Sequence, residues 1–347
     1  MRKVRIEKLT ENMVLAKPIM YNGQVLLREG CQRIDKYKER LEEYGIMQVY
    51  IEDKISKGIE ENKVISEQLQ DECKEDVKEV IENITQNKAV DMAKLKTGIG
   101  NIVDRVLTNN NTLVNLFSLK VFDEYIFQHS VNVAVISIMI GKKLNYKKKR
   151  LIKLGLGAIL HDVGKLAIPA EILKKPSSLT AKEYKIIKTH PEEGYKQFEG
   201  RFDISPVARI PILQHHERVD GSGYPEELKG EDIHEFGRVV AIADVFDALT
   251  SDRCYRQAWS VKKTVDFIKE QASKEFDDQI VDKLLSFISI YPNGEIVKLD
   301  DGSQAIVVEQ TEDAYRPKVR IFKDKDGNKL NNFKEIDLSL ENNIEIV

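Results

Sequence analysis

Cysteine is scarce in this chain: Cys31, Cys73 and Cys254 are the only three in 347 residues. They show no close pairing, which excludes a disulfide framework and fits reduced thiols. No stretch approaches the ~18 consecutive apolar residues of a membrane span. Met1 to Leu9 alternates charged and apolar residues and lacks the apolar core of a signal peptide. A basic excess is missing too. The formal charge of -3 argues against a general nucleic-acid binder, although local basic residues can still meet a small anion. The expectation is a soluble, cytoplasmic protein with neither DNA nor a membrane as partner.

What is present suffices for real cores: 41% of residues are hydrophobic, and the length allows two or three domains. Residues 1–55 read as a small α+β unit. Val4 to Ile6, Met13 to Ala16, Gln24 to Leu27 and Val49 to Ile51 are strand-like, Asn22-Gly23 is a turn, and Ile34 to Tyr44 is helical. A packing or dimer-forming cap suits this unit better than a ligand sensor, because it carries no cofactor motif. Residues 56–117 form a helical linker or pair. Ile65, Leu69, Cys73, Val77, Ile81 and Ile84 make one apolar stripe, and Met92, Leu95, Ile99, Ile102, Val103 and Val106 a second. The two stripes are expected to pack on each other, with the catalytic bundle or a homodimer as other takers.

Residues 118–291 hold the chemistry. Five of the six histidines fall there before residue 217, as His129, His161 beside Asp162, His190, and the pair His215-His216, and Asp244 follows on an apolar segment. Neutral imidazoles bind transition metals and a carboxylate can bridge two cations, so this is the inventory of a multi-metal hydrolase. His129 shares a helix face with Val133, Ile136 and Ile140 and points inward. A helix from Leu151 to Val163 delivers His161 and Asp162 at its end, with Gly155 and Gly157 allowing close approach and Gly164 as a stop. Thr180 and Glu183 make a capping box for a helix that Pro191 breaks at His190. Adjacent residues diverge by about 100° on a helix, so His215 and His216 reach one place only if it spans two metals or the helix ends there. Asp244 and Asp247 lie three apart on the apolar helix Arg238 to Ser251. Buried carboxylates there require cations, which makes Asp244 a ligand and Asp247 either a support behind a ligand or a substrate contact. Singly, each of these residues is as well explained by packing; no ordinary core uses five histidines and three aspartates together.

The ordered motifs Tyr125 to Ser130, His161-Asp162-Val163-Gly164-Lys165, Thr189-His190-Pro191, His215-His216-Glu217-Arg218, Asp220 to Pro225, Ala243 to Thr250 and Ser251 to Arg256 run through half the chain. Together they resemble the HD-GYP family, the cyclic di-GMP phosphodiesterase branch of the HD superfamily of metal-dependent phosphohydrolases. The resemblance implies a helical bundle and hydrolysis of cyclic di-GMP to pGpG, with GMP as a further product, by a hydroxide bridging two ions of iron or manganese. One ion is assigned to His129, His161, Asp162 and Asp244, and the other to Asp162, His190, His215 and His216. Lys165 should meet a phosphate oxygen. The family implies that Arg253 and Arg256 bind the substrate phosphates and that Tyr224 contacts or stacks on a guanine. Cys254 stands where the family commonly has proline, and Tyr125 stands where members with three metals carry glutamate. A phenol with a pKa near 10 is a poor ligand, so two ions are expected.

Residues 292–347 change period again. Glu295 to Leu299 and Ala305 to Glu309 flank Asp301-Gly302, and Val319 to Lys323 precedes Asp326-Gly327, which predicts a small β unit. The expected architecture is mainly α, an HD-type bundle with small terminal α+β and β units. An HD hydrolase of another cyclic dinucleotide or nucleotide, and a non-hydrolysing receptor or scaffold for cyclic di-GMP or for diguanylate cyclase proteins, are the competing readings.

Overall fold

The computed structural model describes residues 1–347 except 22–23, 61–63, 87, 110–124, 174, 176, 252–257 and 342, and except the side chains of 125–126. The Asn22-Gly23 turn, Arg253, Cys254, Arg256 and the Tyr125 side chain therefore lie outside the described residues.

The chain divides into two compact units, one holding residues 1–63 and 287–347 and the other residues 64–110 and 126–286. In the first, β1 (Arg2–Arg5), β2 (Val14–Leu15) and β5 (Gln48–Glu52) pair antiparallel in the order β1-β5-β2, while β3 (Ile19–Tyr21) and β4 (Gln24–Leu27) form a hairpin. A 3-10 turn at Ile34–Tyr37 runs into α1 (Lys38–Glu43), and Ile6, Leu15, Ile34, Leu41, Val49 and Ile51 close the core. The terminal part is a four-stranded antiparallel meander, β6 (Ile296–Lys298), β7 (Gln304–Glu309), β8 (Lys318–Lys323) and β9 (Lys329–Asp337). Gly302 and Gly327 take φ of 91° and 83° in its turns, the left-handed conformation that glycine allows without strain.

Sequence reading treats the two ends of the chain separately, but in the structure they cohere. Ile59 packs with Ile306 and Phe322, and the Met1 ammonium donates to the carbonyls of Ser56 and Ile59 at 2.9 and 2.7 Å.

The second unit is helical. Ser66 caps α2 (Glu67–Thr85), which packs along α3 (Ala93–Thr108), and α3 also lies against α5 (Lys148–Leu160). The α2 stripe runs through Leu69, Cys73, Val77 and Val80 rather than continuing to Ile81 and Ile84, because the helix turns Val80 toward its partner. Both of the first-considered packings hold, since α3 is shared between α2 and the bundle. At Gly155 a Cβ would come within 2.9 Å of Ile99 and 2.8 Å of Ile138; at Gly157 it would sit 2.5 Å from the Ala208 carbonyl oxygen. These two glycines let α5 be approached on two sides.

The remaining helices are α4 (Tyr125–Lys143), α6 (Ala170–Leu173), α7 (Ala181–Ile187), α8 (His190–Lys196), α9 (Pro206–Gln214), α10 (Glu235–Thr250), α11 (Val261–Gln271) and α12 (Asp278–Leu285). Phe198, Ile212, Phe236 and Phe246 are fully buried among them. Among the described residues no helix is long and apolar enough to cross a membrane.

Candidate metal centre

Four helix ends and two helix faces converge on one buried point. His161 is the C-cap of α5, and Asp162 follows it at the entry to a 3-10 helix, Val163–Ala167. Gly164 has a role different from the expected helix stop: its φ is not positive, and a Cβ there would lie 1.8 Å from the His190 carbonyl oxygen and 2.4 Å from the Gly194 nitrogen. It brings the Asp162 turn onto the start of α8. The capping box of Thr180 and Glu183 opens α7 as expected, and that helix stops at Ile187. Pro191 then occupies the first turn of α8, where its missing N–H costs nothing, and it fixes His190 at the helix start. His215 is the C-cap of α9, so the helix does end there, and His216 leaves it in a new direction.

The imidazoles are aimed by their own backbone. In the tautomer that suits the bonds, Nδ1–H of His161 donates to Ala158 O at 2.7 Å, that of His190 to Ile187 O at 2.7 Å, and that of His215 to Pro211 O at 2.9 Å. His129 uses Asp247 Oδ2 at 2.7 Å for the same purpose. Each Nε2 is thereby left facing inward with its lone pair, the arrangement a metal ligand needs.

Between them sits Asp162, and its two oxygens face different ways. Oδ2 is 3.4 Å from His161 Nε2 and 3.7 Å from His129 Nε2, whereas Oδ1 is 3.5 Å from His190 Nε2 and 3.7 Å from His215 Nε2. Two donor groups result: Asp162, His190, His215 and His216 in one, and His129, His161 and Asp244 in the other, each with its ligand atoms within 4.8 Å of one another. Among the described residues His161 Nε2 and Asp162 Oδ1 are buried without a hydrogen-bond partner, and His190 Nε2 and His215 Nε2 face each other at 3.2 Å. Buried acceptors crowding acceptors are costly unless a cation lies between them, so the donor set fits divalent ions.

The electrostatics agree. Burial drives the His215 and His216 imidazoles well below their ordinary value and His190 down to about 4, so all three are neutral near pH 7. Burial also penalises the Asp162 carboxylate, but the charges of His161 and Lys165 outweigh it and hold the group well below the usual range. Asp244 is likewise held down, against burial, by its hydrogen bond with His129 at 3.1 Å. Burial disfavours charge on His129, yet its bonds to Asp244 and Asp247 prevail and raise it. Asp162 and Asp244 are thus deprotonated carboxylates and His190, His215 and His216 neutral imidazoles, the forms that ligate, while His129 keeps a proton in a place a cation can take.

Other expected residues fall as follows. Lys165 Nζ pairs with Asp162 Oδ2 at 2.5 Å. Asp247 is 3% exposed and faces His129 and Asn132, Oδ1 accepting from Asn132 Nδ2 at 2.7 Å. Both of its oxygens are thus engaged within the bundle, one of them behind the His129 ring. Tyr224 stacks on His216, with centroids 4.7 Å apart and planes at 21°, so one of its faces is given to the protein and not to a guanine.

Sequence reasoning missed three contributors. Asn132 bonds Asp247; its only signal is the i+3 spacing from His129. Glu217 is 2% exposed and accepts the N–H groups of Glu226 and Leu228 at 2.8 and 3.1 Å, which pins the loop that carries Tyr224. Lys188 lies over the rings of Tyr224 and Tyr184, 4.8 and 5.2 Å from their centroids, with no carboxylate partner among the described residues.

Comparison with known proteins places this architecture. An HD domain model matches residues 111–280, and the model of a KOW domain associated with HD domains matches residues 296–347. A cyclic di-GMP phosphodiesterase of Pseudomonas aeruginosa is 35% identical over 236 residues, 68% of this chain and 57% of that protein. A 3'3'-cGAMP-specific phosphodiesterase of Vibrio cholerae is 42% identical over 127 residues, 36% of this chain and 24% of its own. An HDG"Y"P protein from Bdellovibrio bacteriovorus has the same fold, with a TM-score of 0.51 and 19% identity over 81% of this chain and 97% of that one. The fold and the paired histidine and aspartate groups thus define an HD-domain protein. With Gly223-Tyr224-Pro225 beside the histidine pair, the chain belongs to the HD-GYP family. It spans just over half the length of the Pseudomonas relative, 57%.

Proposed function

We propose that this chain is a cytoplasmic metal-dependent phosphodiesterase that opens cyclic di-GMP to linear pGpG and can carry pGpG on to GMP. The observation that carries the reading is Asp162, whose two oxygens face two separate sets of imidazoles. In this reading His129, His161, Asp162 and Asp244 hold one ion and Asp162, His190, His215 and His216 another, both iron or manganese. A bound pair of ions supplies a nucleophile from water at neutral pH and offsets the phosphodiester charge.

The protein's own groups do the rest. Lys165, relieved of neutralising Asp162, donates to a phosphate oxygen, and Lys188 adds a second positive charge at the same edge. Arg253 and Arg256 hold the phosphates with their guanidinium forks. Tyr224 orients His216 through one face and leaves its edge for a base. A second reading, hydrolysis of another cyclic dinucleotide, is favoured by the likeness to the Vibrio relative.

The test is anaerobic metal analysis joined to product analysis on cyclic di-GMP and 3'3'-cGAMP. The expected result is two ions per chain and faster release of pGpG than of the mixed product. Asp162→Ala should lose both ions and fall to background turnover while keeping its helical signal. Turnover near the parent rate in a metal-free Asp162→Ala protein would overturn the site, and preference for the mixed dinucleotide would replace the substrate.

A further inference from the structure

His129 is set by more than Asp247. Asn132 Nδ2 donates to Asp247 Oδ1 at 2.7 Å, and Asn132 Oδ1 accepts from Gln128 Nε2 at 3.0 Å and from Gln70 Nε2 at 3.1 Å. Asp247 Oδ2 in turn accepts from His129 Nδ1 at 2.7 Å. Gln128, Asn132, Asp247 and His129 are all buried. Gln70 belongs to another element: it stands in the first turns of α2, on the same side as Leu69 and Cys73 but partly exposed.

The order of donors and acceptors along this path is forced. An ionised Asp247 accepts only, so Asn132 must present its NH2 to it and its carbonyl to the two glutamine amides. If the Asn132 amide turns over, its carbonyl faces a carboxylate and Asp247 loses a buried donor, which weakens its hold on the His129 ring. Gln70 stands 62 residues from Asn132 in sequence and fixes that orientation from α2.

We propose that Gln70 and Asn132 are positioning residues for the His129 metal site, so that ion binding at His129, His161 and Asp244 depends on how α2 is docked. The inference rests on those three residues being ligands, as in the function proposed above. It ties the helix that follows the N-terminal residues to one of the two donor groups and leaves the His190, His215 and His216 group alone.

Two variants of one exposed-edge residue separate positioning from packing. Gln70→Met keeps the side-chain length and removes the amide, whereas Gln70→Glu keeps the shape and sets an acceptor against the Asn132 carbonyl. The full-length protein is titrated with manganese against a competing chelator. One of the two binding steps should weaken roughly tenfold in Gln70→Glu, less in Gln70→Met, with the other step unchanged. The thermal midpoints of both variants should stay close to the parent. In the metal-free protein the His129 Nδ1–H proton resonance, displaced downfield by its bond to Asp247, should shift in Gln70→Glu and not in a Gln68→Glu control one turn face away. A parent that binds no ions, together with a Gln70→Glu variant that still shows the resonance shift, would remove the proposed function and keep the relay. Equal behaviour of the two variants, or loss of both binding steps together, would overturn the relay.

Discussion

A single carboxyl group of the first unit gives the clearest pH test of the residue-level electrostatics. Glu295 precedes β6 in the first unit and is half-buried. Burial raises its carboxyl to about 7 from the 4.5 of an unfolded chain, with Lys3 opposing the rise. Between those two values the folded chain holds a proton that the unfolded chain has released. Folding is therefore favoured by this group at low pH, and its contribution is lost as pH rises from about 4.5 through about 7. Glu295→Gln, which cannot ionise, should melt higher than the parent at pH 8 and show a much smaller difference at pH 5. A melting difference that does not change with pH would show that the Glu295 carboxyl is solvated.

At the scale of elements, the site depends on a turn meeting a helix start. A methyl group at Gly164 would strike the His190 carbonyl and the Gly194 nitrogen, both backbone, and neither can move without moving α8. Gly164→Ala should cost about 1–3 kcal/mol in denaturant unfolding, the usual range for overpacking, and should weaken ion binding because Asp162 and His190 part. A variant with parental stability and metal content would mean that the turn has slack. The same elements show what could be read in advance. The clustered donors were legible because His and Asp are rarely placed on apolar helices without a purpose, and Thr180, Glu183 and Pro191 mark their helix ends by local chemistry alone. The strand β9 was not, since its buried positions are few among Lys, Asn, Glu and Asp and no period-2 signal survives. Gln70 and Asn132 were illegible for another reason. An amide pair carries no local signature, and its meaning is set by which helix packs across from it.

At the scale of the whole molecule, the two ends of the chain form one folding unit through polar contacts that sequence patterns do not encode. The meander that matches the KOW model supplies Arg320, whose Nη1 donates to the carbonyls of Ile55 and Lys57 at 2.8 and 2.9 Å. Its Nη2 and Nε hold Glu335 Oε1 at 2.8 and 3.0 Å, which fixes the plane of the guanidinium toward those carbonyls. Asn293 adds a bond to the Glu60 carbonyl at 3.0 Å, and Ile59 fills the gap between Ile306 and Phe322. The segment after β5 is thus tied down by residues more than 200 positions away, as the sequence separations of 265 and 263 show. Arg320→Met keeps the aliphatic contact and removes every donor, leaving two carbonyls unmatched and Glu335 with Lys318 alone. The expected cost is about 1–3 kcal/mol, and the segment from Asp53 to Glu60 should become open to limited proteolysis before the rest. Arg320→Lys should recover little, because one ammonium cannot reach both carbonyls and Glu335 together. Cleavage appearing first in the helical unit, with residues 53–60 still protected, would mean that Ile59 and the Met1 ammonium hold the two ends together without Arg320.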